Sequence, residues 1–440
     1  MSNSSLNLRR SSFHFDNLLL NKKTCHYLSM RIVNRMKEFF YFFIFFLFYY
    51  GVKFASGFGF LYLLYAIPFL VGSIQITVGK LMLGIRFIFL FLFLMCSLIL
   101  TMLLNGFYEP VSLLIMFKII FNISSCLGFY VLAFSRYSVS EGFYRLLLWL
   151  AAAAIIQSLF VFLSLYCHWY NSNIWIVIKH LGNIRIDNGV RAFGFSNAGG
   201  DGLSYKMLIG FLSLLYIGWI SRITFINILF FIISFSLVFF SFFFVARTGL
   251  VISVFISGVY FTLSLIYMPK KTFLYISFLC LIGVYLYCCG SDYISSQTYK
   301  WSMEFFFKGT GTSSIETLES MMILPTKIST YIYGDGHLSN GVSNYMSIDI
   351  GYLRLIYFSG VVPVLMVLLY IFDLYRRLCY RLDDRSQSVL LLAIFSLVII
   401  FNLKTLFFDG GLIVKILTLL YCIIISPYNS TLLKVNKENV

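Results

Sequence analysis

The feature that most constrains this chain is a succession of apolar runs, each long enough to cross a bilayer. Only two polar stretches of any length interrupt them, 168–202 and 291–349. A hydrocarbon core of about 30 Å requires about 20 consecutive apolar residues in a helix. Segments such as 85–104, 146–167, 225–246 and 389–408 reach that length with almost no charge. The polar islands then matter most. In a membrane protein, charge and irregular backbone must lie where water or protein can satisfy them.

Composition points the same way. The 440 residues are 60% hydrophobic, 20% aromatic and only 11% charged, more apolar surface than a soluble domain of that length can bury. Fifty Phe and 31 Tyr suit helix surfaces facing lipid and its interfaces. The expected fold class is an all-α polytopic membrane protein of about twelve transmembrane helices. These fall near 39–55, 58–79, 84–104, 111–135, 146–167, 203–220, 225–246, 250–268, 272–290, 350–373, 389–408 and 411–427. A tail at 1–38 precedes the transmembrane domain, 39–427, and a second tail, 428–440, follows it.

A net charge of +16 would favour nucleic acid in a soluble protein. Here it follows topology. With the N-terminus inside, the inner connections hold Arg31, Arg35, Lys37, Lys80, Arg86, Arg136, Arg145, Arg222, Lys270, Lys271, Arg376, Arg377, Arg381, Arg385, Lys434 and Lys437. The short outer turns hold little beyond Lys53. This asymmetry is the positive-inside pattern, so nucleic acid is not an expected partner. Both termini are expected in the cytoplasm and both islands outside. The first 30 or so residues do not read as a signal peptide, and Met30 or Met36 is an alternative start to Met1. The nine cysteines show no metal-ligand spacing: Cys96, Cys126, Cys280 and Cys422 lie in spans, and Cys288 and Cys289 read as lipid-facing packing.

Seven cations break the inside rule: Lys118, Arg191, Lys206, Arg247, Arg354, Lys404 and Lys415. A charge at the bilayer centre costs about 2.5–3.5 kcal/mol on insertion scales, so each requires a reason. Snorkelling to outer headgroups explains any one of them. As a set converging on one face, they would make an anion site, and the membrane anion of that kind is a lipid-linked phosphate or pyrophosphate.

The first island carries Arg191-Ala-Phe-Gly-Phe-Ser-Asn-Ala-Gly-Gly-Asp-Gly202 and runs straight into a helix. Its glycines suit a phosphate cradle or an ordinary turn before a span. Trp175–Leu181 reads as a short surface helix. The second island is too long for a plain connection and reads as an ordered cap. It contains Trp301, Glu304, Glu316 and Glu319, then Tyr-Gly-Asp335-Gly-His337, and leaves through Asp349-Ile-Gly-Tyr352-Leu-Arg354. Carboxylates, a histidine and aromatics suit sugar binding, with His337 either a general base or a surface residue.

With these residues in view, the chain resembles the O-antigen polymerase (Wzy) family, and more distantly the O-antigen ligases of bacterial inner membranes. Three local features carry the likeness: Arg191 followed by ten residues and Gly202, Arg247-Thr-Gly at a span's outer end, and Asp349-Ile-Gly-Tyr-Leu-Arg-Leu-Ile-Tyr-Phe-Ser-Gly360. The span number and the two enlarged loops extend the likeness over nearly the whole chain. One departure is plain. Residues 291–349 contain no Arg, only Lys300, Lys308 and Lys327, and Lys lacks the bidentate fork.

The resemblance implies glycosyl transfer at the periplasmic face of the inner membrane. A glycan on undecaprenyl pyrophosphate would be the donor and a lipid-linked repeat unit the acceptor. Arg191, Arg247 and Arg354, with Lys206, Lys118 and Gly202, would hold the departing pyrophosphate. Asp335, His337 or Asp349 would take the hydroxyl proton, and Tyr352 and Trp301 would meet sugar. No metal and no cofactor are expected. A chain-length regulator is a further candidate partner beside membrane lipid. An O-antigen ligase and a lipid-linked oligosaccharide flippase are the alternative functions.

Overall fold

A computed structural model of the protein describes residues 35–77, 85–106, 110–178, 192–196, 200–270, 272–273, 275–276, 304, 316, 319–337, 345, 348, 350–382, 384–403 and 411–425. Among these residues the structure is almost entirely helical. No strand forms, and the β-type contact is an isolated bridge between Phe54 and Ile178. The chain divides into two compact units, Met1–Phe46 and Leu47–Val440. In the first, residues 35–46 are helical.

The second unit opens with helical residues 47–50 and a 3-10 turn, Ser56–Tyr62. It continues through α1 (Leu63–Thr77), α2 (Ile85–Asn105), α3 (Pro110–Phe129, followed by a π-helical turn, Tyr130–Phe134), α4 (Val139–Tyr166) and α5 (His168–Val177). Then come α6 (Asp201–Ile220), α7 (Phe225–Val245), α8 (Arg247–Tyr267), α9 (Ile328–Tyr333), α10 (Gly351–Ser359), α11 (Val361–Arg381), α12 (Arg385–Phe401) and α13 (Leu412–Ile425). Six helices among the described residues are long and apolar enough to cross a membrane: Ser56–Thr77, Phe117–Phe134 and those of α4, α6, α7 and α8. On α7, Phe231, Phe235, Val238 and Phe242 are buried while Phe225, Ile226, Phe230 and Ile233 are exposed. A helix apolar on both its packed and its open face requires an apolar solvent.

Polar side chains set several helix starts. Ser138 accepts from the Glu141 amide and opens α4, with Glu141 three residues on as in a capping box. Thr224 and Asp384 cap α7 and α12 in the same way. Small residues set the crossings. A Cβ on Gly72 of α1 would lie 1.8 Å from the Ser124 carbonyl oxygen of α3, and one on Gly128 of α3 would lie 1.8 Å from that of Pro68. The two backbones therefore touch directly, as glycine alone permits. Gly210 brings α6 against Leu150 and Ala154 of α4, Gly218 against Phe231 of α7, and Gly249 brings α8 against Ser204 of α6. Buried Ser158 and Ser241 hydrogen-bond at 3.1 Å between α4 and α7. Helix α6 is the hub of this packing.

Contacts also define two ends of the second unit. At one end the Ala192 amide bonds the Phe244 carbonyl at the close of α7, and the Tyr352 amide bonds the Asn402 carbonyl at the close of α12. At the same end, Thr101 and Asn105, in the last turn of α2, bond the carbonyls of Tyr333 and Gly334. The edges of both polar islands thus meet at one end, here the island end. At the other, Tyr216 meets Ser386, and Gly142 lies against Ile423. Arg136 and Arg145 sit over the Tyr137 ring there, at 5.0 and 3.7 Å from its centroid.

Several expected boundaries move for local reasons. The helix of the first expected span closes at Tyr50, not 55. Gly51 adopts φ 66°, with Gly51 N bonding Phe48 O and Val52 N bonding Leu47 O, the paired bonds of a Schellman ending. The expected span 350–373 breaks at Gly360 (φ 85°), where a Cβ would lie 2.5 Å from the Ile332 carbonyl oxygen, and α11 then runs on to Arg381. Arg247 begins α8 rather than ending the preceding span. The surface helix in the first island spans His168–Val177, earlier than Trp175–Leu181.

Candidate functional site

The island end is assembled around the first turns of α6 and α8. Gly200 (φ 69°) turns the chain into Asp201, Gly202 and Lys206, and Gly249 seats the start of α8 against Ser204, placing Arg247 beside that turn. The stretch leading into this corner is pinned. Gln157, fully buried in the apolar α4, donates to the Phe193 carbonyl at 2.9 Å and accepts from the Phe195 amide at 3.3 Å. Tyr170 of α5 donates to the Gly194 carbonyl at 3.3 Å, and burial pushes its phenol up. Gly194 has φ 57°, and a Cβ there would strike the Gln157 amide. Residues 192–196 are therefore held as a fixed loop against α4 and α7. Arg191 lies outside the described residues. Its neighbour Ala192 is bonded to Phe244, three residues before Arg247.

Gln157 was not among the expected site residues. Its signal was a single amide in the apolar run 146–167, where a polar group persists only if it is bonded. Gln157→Leu should strand one buried carbonyl and one amide, at about 1–3 kcal/mol for each group left unsatisfied. The expected result is faster proteolytic cleavage around 192–196 in detergent while the helical content by circular dichroism is retained. Cleavage at the parent rate would show that the clamp does not hold the loop.

Two of the unusual cations are engaged with backbone. Lys206 donates to the Tyr50 carbonyl at 2.7 Å, and the Tyr49 hydroxyl donates back to the Lys206 carbonyl at 2.8 Å. Lys415, 5% exposed in the first turn of α13, donates to the Phe48 carbonyl at 2.5 Å and lies 4.1 Å from the centroid of the Phe48 ring. Both ammonium groups land on the last turn before Gly51, where the closing carbonyls and the helix dipole present negative charge. In the structure Lys206, an expected pyrophosphate ligand, and Lys415 both close a helix end inside the bundle.

Arg247 forms an ion pair with Glu304 of the second island, and both side chains are 15% exposed. A guanidinium held this way is fixed in direction, ready for planar anion recognition once the carboxylate yields. Arg354 is half-buried on α10, one turn past its start. Tyr352 ties α10 to α12: its hydroxyl donates to the Ile399 carbonyl at 2.9 Å. This phenol, the expected sugar contact, is bonded to the backbone of α12. The chain of contacts continues through Phe401, whose ring lies 4.0 Å from that of Tyr205 on α6. Lys118 is exposed on α3. Asp349, Trp301 and Lys404 lie outside the described residues.

The remaining candidates form a second cluster. Asp335 sits between Gly334 (φ 76°) and Gly336 (φ 80°), its amide bonded to the Tyr357 carbonyl at 2.6 Å. Its carboxylate accepts from Thr330 at 2.6 Å and from the Tyr345 hydroxyl at 3.4 Å. His337 stacks on Tyr345 with centroids 5.1 Å apart and planes 17° from parallel, and Tyr345 packs edge-on to Tyr357 at 5.7 Å. Beneath them lies an apolar base of Ile348, Ile350, Leu353 and Tyr357. The structure thus groups Asp335 with His337, and separately Gly202 and Lys206 with Arg247.

Among the described residues no group of three or more His, Cys, Asp or Glu side chains is placed to hold a metal ion. The two clusters offer cations in one place and a carboxylate among aromatics in the other, which is chemistry for anions and hydroxyls. No family model matches this chain, and neither does any curated protein or solved structure.

Proposed function

We propose that this protein is a multi-pass inner-membrane glycosyltransferase that polymerises undecaprenyl-pyrophosphate-linked repeat units at the periplasmic face. The reading takes about twelve spans with both termini in the cytoplasm. It puts the island end outside and the end bearing Arg136, Arg145, Arg222, Arg376, Arg377, Arg381 and Arg385 inside. The observation that carries it is the joining of the first turns of α6 and α8, with Arg247 at the corner and the pinned loop after position 191 against the same helix end. Arginines beside helix N-termini favour an anion whose charge grows as the bond to it breaks.

In this reading an acceptor hydroxyl attacks the anomeric carbon of the donor glycan. The bond from that carbon to the pyrophosphate oxygen breaks, and the lipid pyrophosphate leaves with the electron pair. Arg191, Arg247 and Arg354 stabilise the leaving group, while Asp335, His337 or Asp349 accepts the hydroxyl proton. Lys206 and Lys415 belong to the scaffold, and Lys118 to the headgroup layer.

Arg247→Ala tests the reading. The variant is expected to insert at parent levels and to cut polymer formation by about a hundredfold, leaving surface glycan with a single repeat unit on a gel. A long-chain ladder equal to the parent's would remove Arg247 from the reaction and the reading with it. Lipid-linked units trapped on the cytoplasmic side would indicate a flippase, and free lipid-linked polymer a ligase.

A further inference from the structure

The Asp335 turn is more heavily constrained than a loop connection requires. Two positive-φ glycines flank the aspartate. A Cβ on Gly334 would lie 2.5 Å from the Ser359 backbone nitrogen, and the turn's outer carbonyls are taken by Thr101 and Asn105 of α2. The backbone is therefore fixed on one side by α2 and on the other by the α10–α11 junction. The carboxylate then receives two hydroxyl donors from different segments, Thr330 and Tyr345. Backbone restraint and paired donors together fix the direction of a single carboxylate, which is the preparation a proton acceptor requires.

Resting on the polymerase reading, we infer that Asp335 is the group that takes the acceptor hydroxyl's proton, and that Tyr345 and Thr330 are positioning residues that aim its carboxylate. As the new glycosidic C–O bond forms and the bond to pyrophosphate breaks, the proton passes from the hydroxyl to the Asp335 carboxylate. Tyr345 also organises its surroundings, since its ring carries His337 on one side and leans on Tyr357 on the other. Burial first, and the Asp335 charge second, push the Tyr345 phenol up, so it stays protonated as a donor at neutral pH.

Among the described residues the groups facing Asp335 are few. On its own turn there is His337, and from the apolar base there are Tyr345 and Tyr357. From α9 comes Thr330, and from α2 the uncharged Thr101 and Asn105 bond the turn's backbone. Arg354 lies one turn before Tyr357 on α10.

The test uses membranes carrying the full chain, supplied with undecaprenyl-pyrophosphate-linked repeat units extracted from cells that lack it. Polymerisation is followed on gels. Tyr345→Phe keeps the ring stack and removes only the hydroxyl. Thr330→Val removes the other donor at constant shape, and Thr330→Ser restores it. Tyr345→Phe and Thr330→Val should each slow the initial rate about tenfold to a hundredfold, with Thr330→Ser, which restores the hydroxyl donor, close to the parent. Parent rates in Tyr345→Phe and Thr330→Val, or a Thr330→Ser rate as slow as that of Thr330→Val, would overturn the positioning role. So would parent activity in Asp335→Asn. Arg247→Ala run alongside separates the two ideas. If Arg247→Ala is inactive while Tyr345→Phe behaves as the parent, only this inference falls. If Arg247→Ala polymerises normally, the functional reading falls first. Should Tyr345→Phe fail to accumulate in membranes, the Thr330→Val and Thr330→Ser pair decides.

Discussion

Alanine at position 128 is expected to leave little folded protein in the membrane. Gly128 faces the Pro68 carbonyl across the α1–α3 crossing, and a methyl group there would stand 1.8 Å from that oxygen. No rotamer change relieves this, because the obstacle is backbone. The two helices must separate along their contact, and Gly72 makes the reciprocal approach to Ser124 a turn away. Overpacking a core costs about 1–3 kcal/mol when side chains can give way, and more when they cannot. We therefore expect a loss of about 3 kcal/mol or more. It would be seen as a fall in the thermal unfolding midpoint of detergent-purified protein and in the amount recovered as a single species. Gly72→Ala should cost a similar amount, and the double variant less than the sum, since both open the same crossing. Gly258 of α8, with open space around its missing Cβ, supplies the control. Alanine there should be neutral or slightly stabilising through helix propensity. If Gly128→Ala unfolds at the parent temperature, α1 and α3 do not meet as described.

The contrast between Gly128 and Gly258 shows where the sequence was legible. Both lie inside apolar runs and neither is distinguishable by composition, yet one is a backbone contact and the other faces outward. The helices themselves were readable because lipid imposes a length and an apolar content that local sequence must satisfy on its own. Breaks were harder. Gly360 and Pro363 are compatible with a helix end and restart, since proline is tolerated in a first turn, yet the expected span ran straight through them. What makes the break necessary is Ile332, far away in the chain. The candidate site was readable as a list of residue types and not as a set of partners. The inside-rule anomaly found Lys206, Arg247 and Lys415 correctly as residues needing an explanation. Their explanations are carbonyls of Tyr50 and Phe48 and a carboxylate of Glu304, and none of these is near in sequence. Asp335 and His337 stood close enough in the chain to be read together, but Thr330 and Tyr345 carry no signal until the turn is folded.

Removing the two buried ammonium groups together should be far worse than removing either. Lys206→Met takes one donor from the helix end at Tyr50, and Lys415→Met takes one from Phe48. A hydrogen bond from a charged donor contributes about 1.5–3 kcal/mol, but each lysine also bears the cost of burying a charge. The two ammonium groups act on each other electrostatically as well as on the same turn. Each single substitution therefore loses a bond and relieves a repulsion, and the net effect should be about 1 kcal/mol. In the double variant no repulsion remains to relieve, and the helix end loses both ammonium donors, the Phe48 carbonyl keeping only its bond from the Gly51 amide. The expected loss exceeds the sum of the singles by about 1–2 kcal/mol, read from thermal or denaturant unfolding in detergent. The opposite pattern has a different meaning. If both single variants unfold like the parent while surface glycan shortens to one repeat unit, the lysines act on the lipid-linked substrate, and the helix end at Gly51 is held by its own Schellman bonds alone.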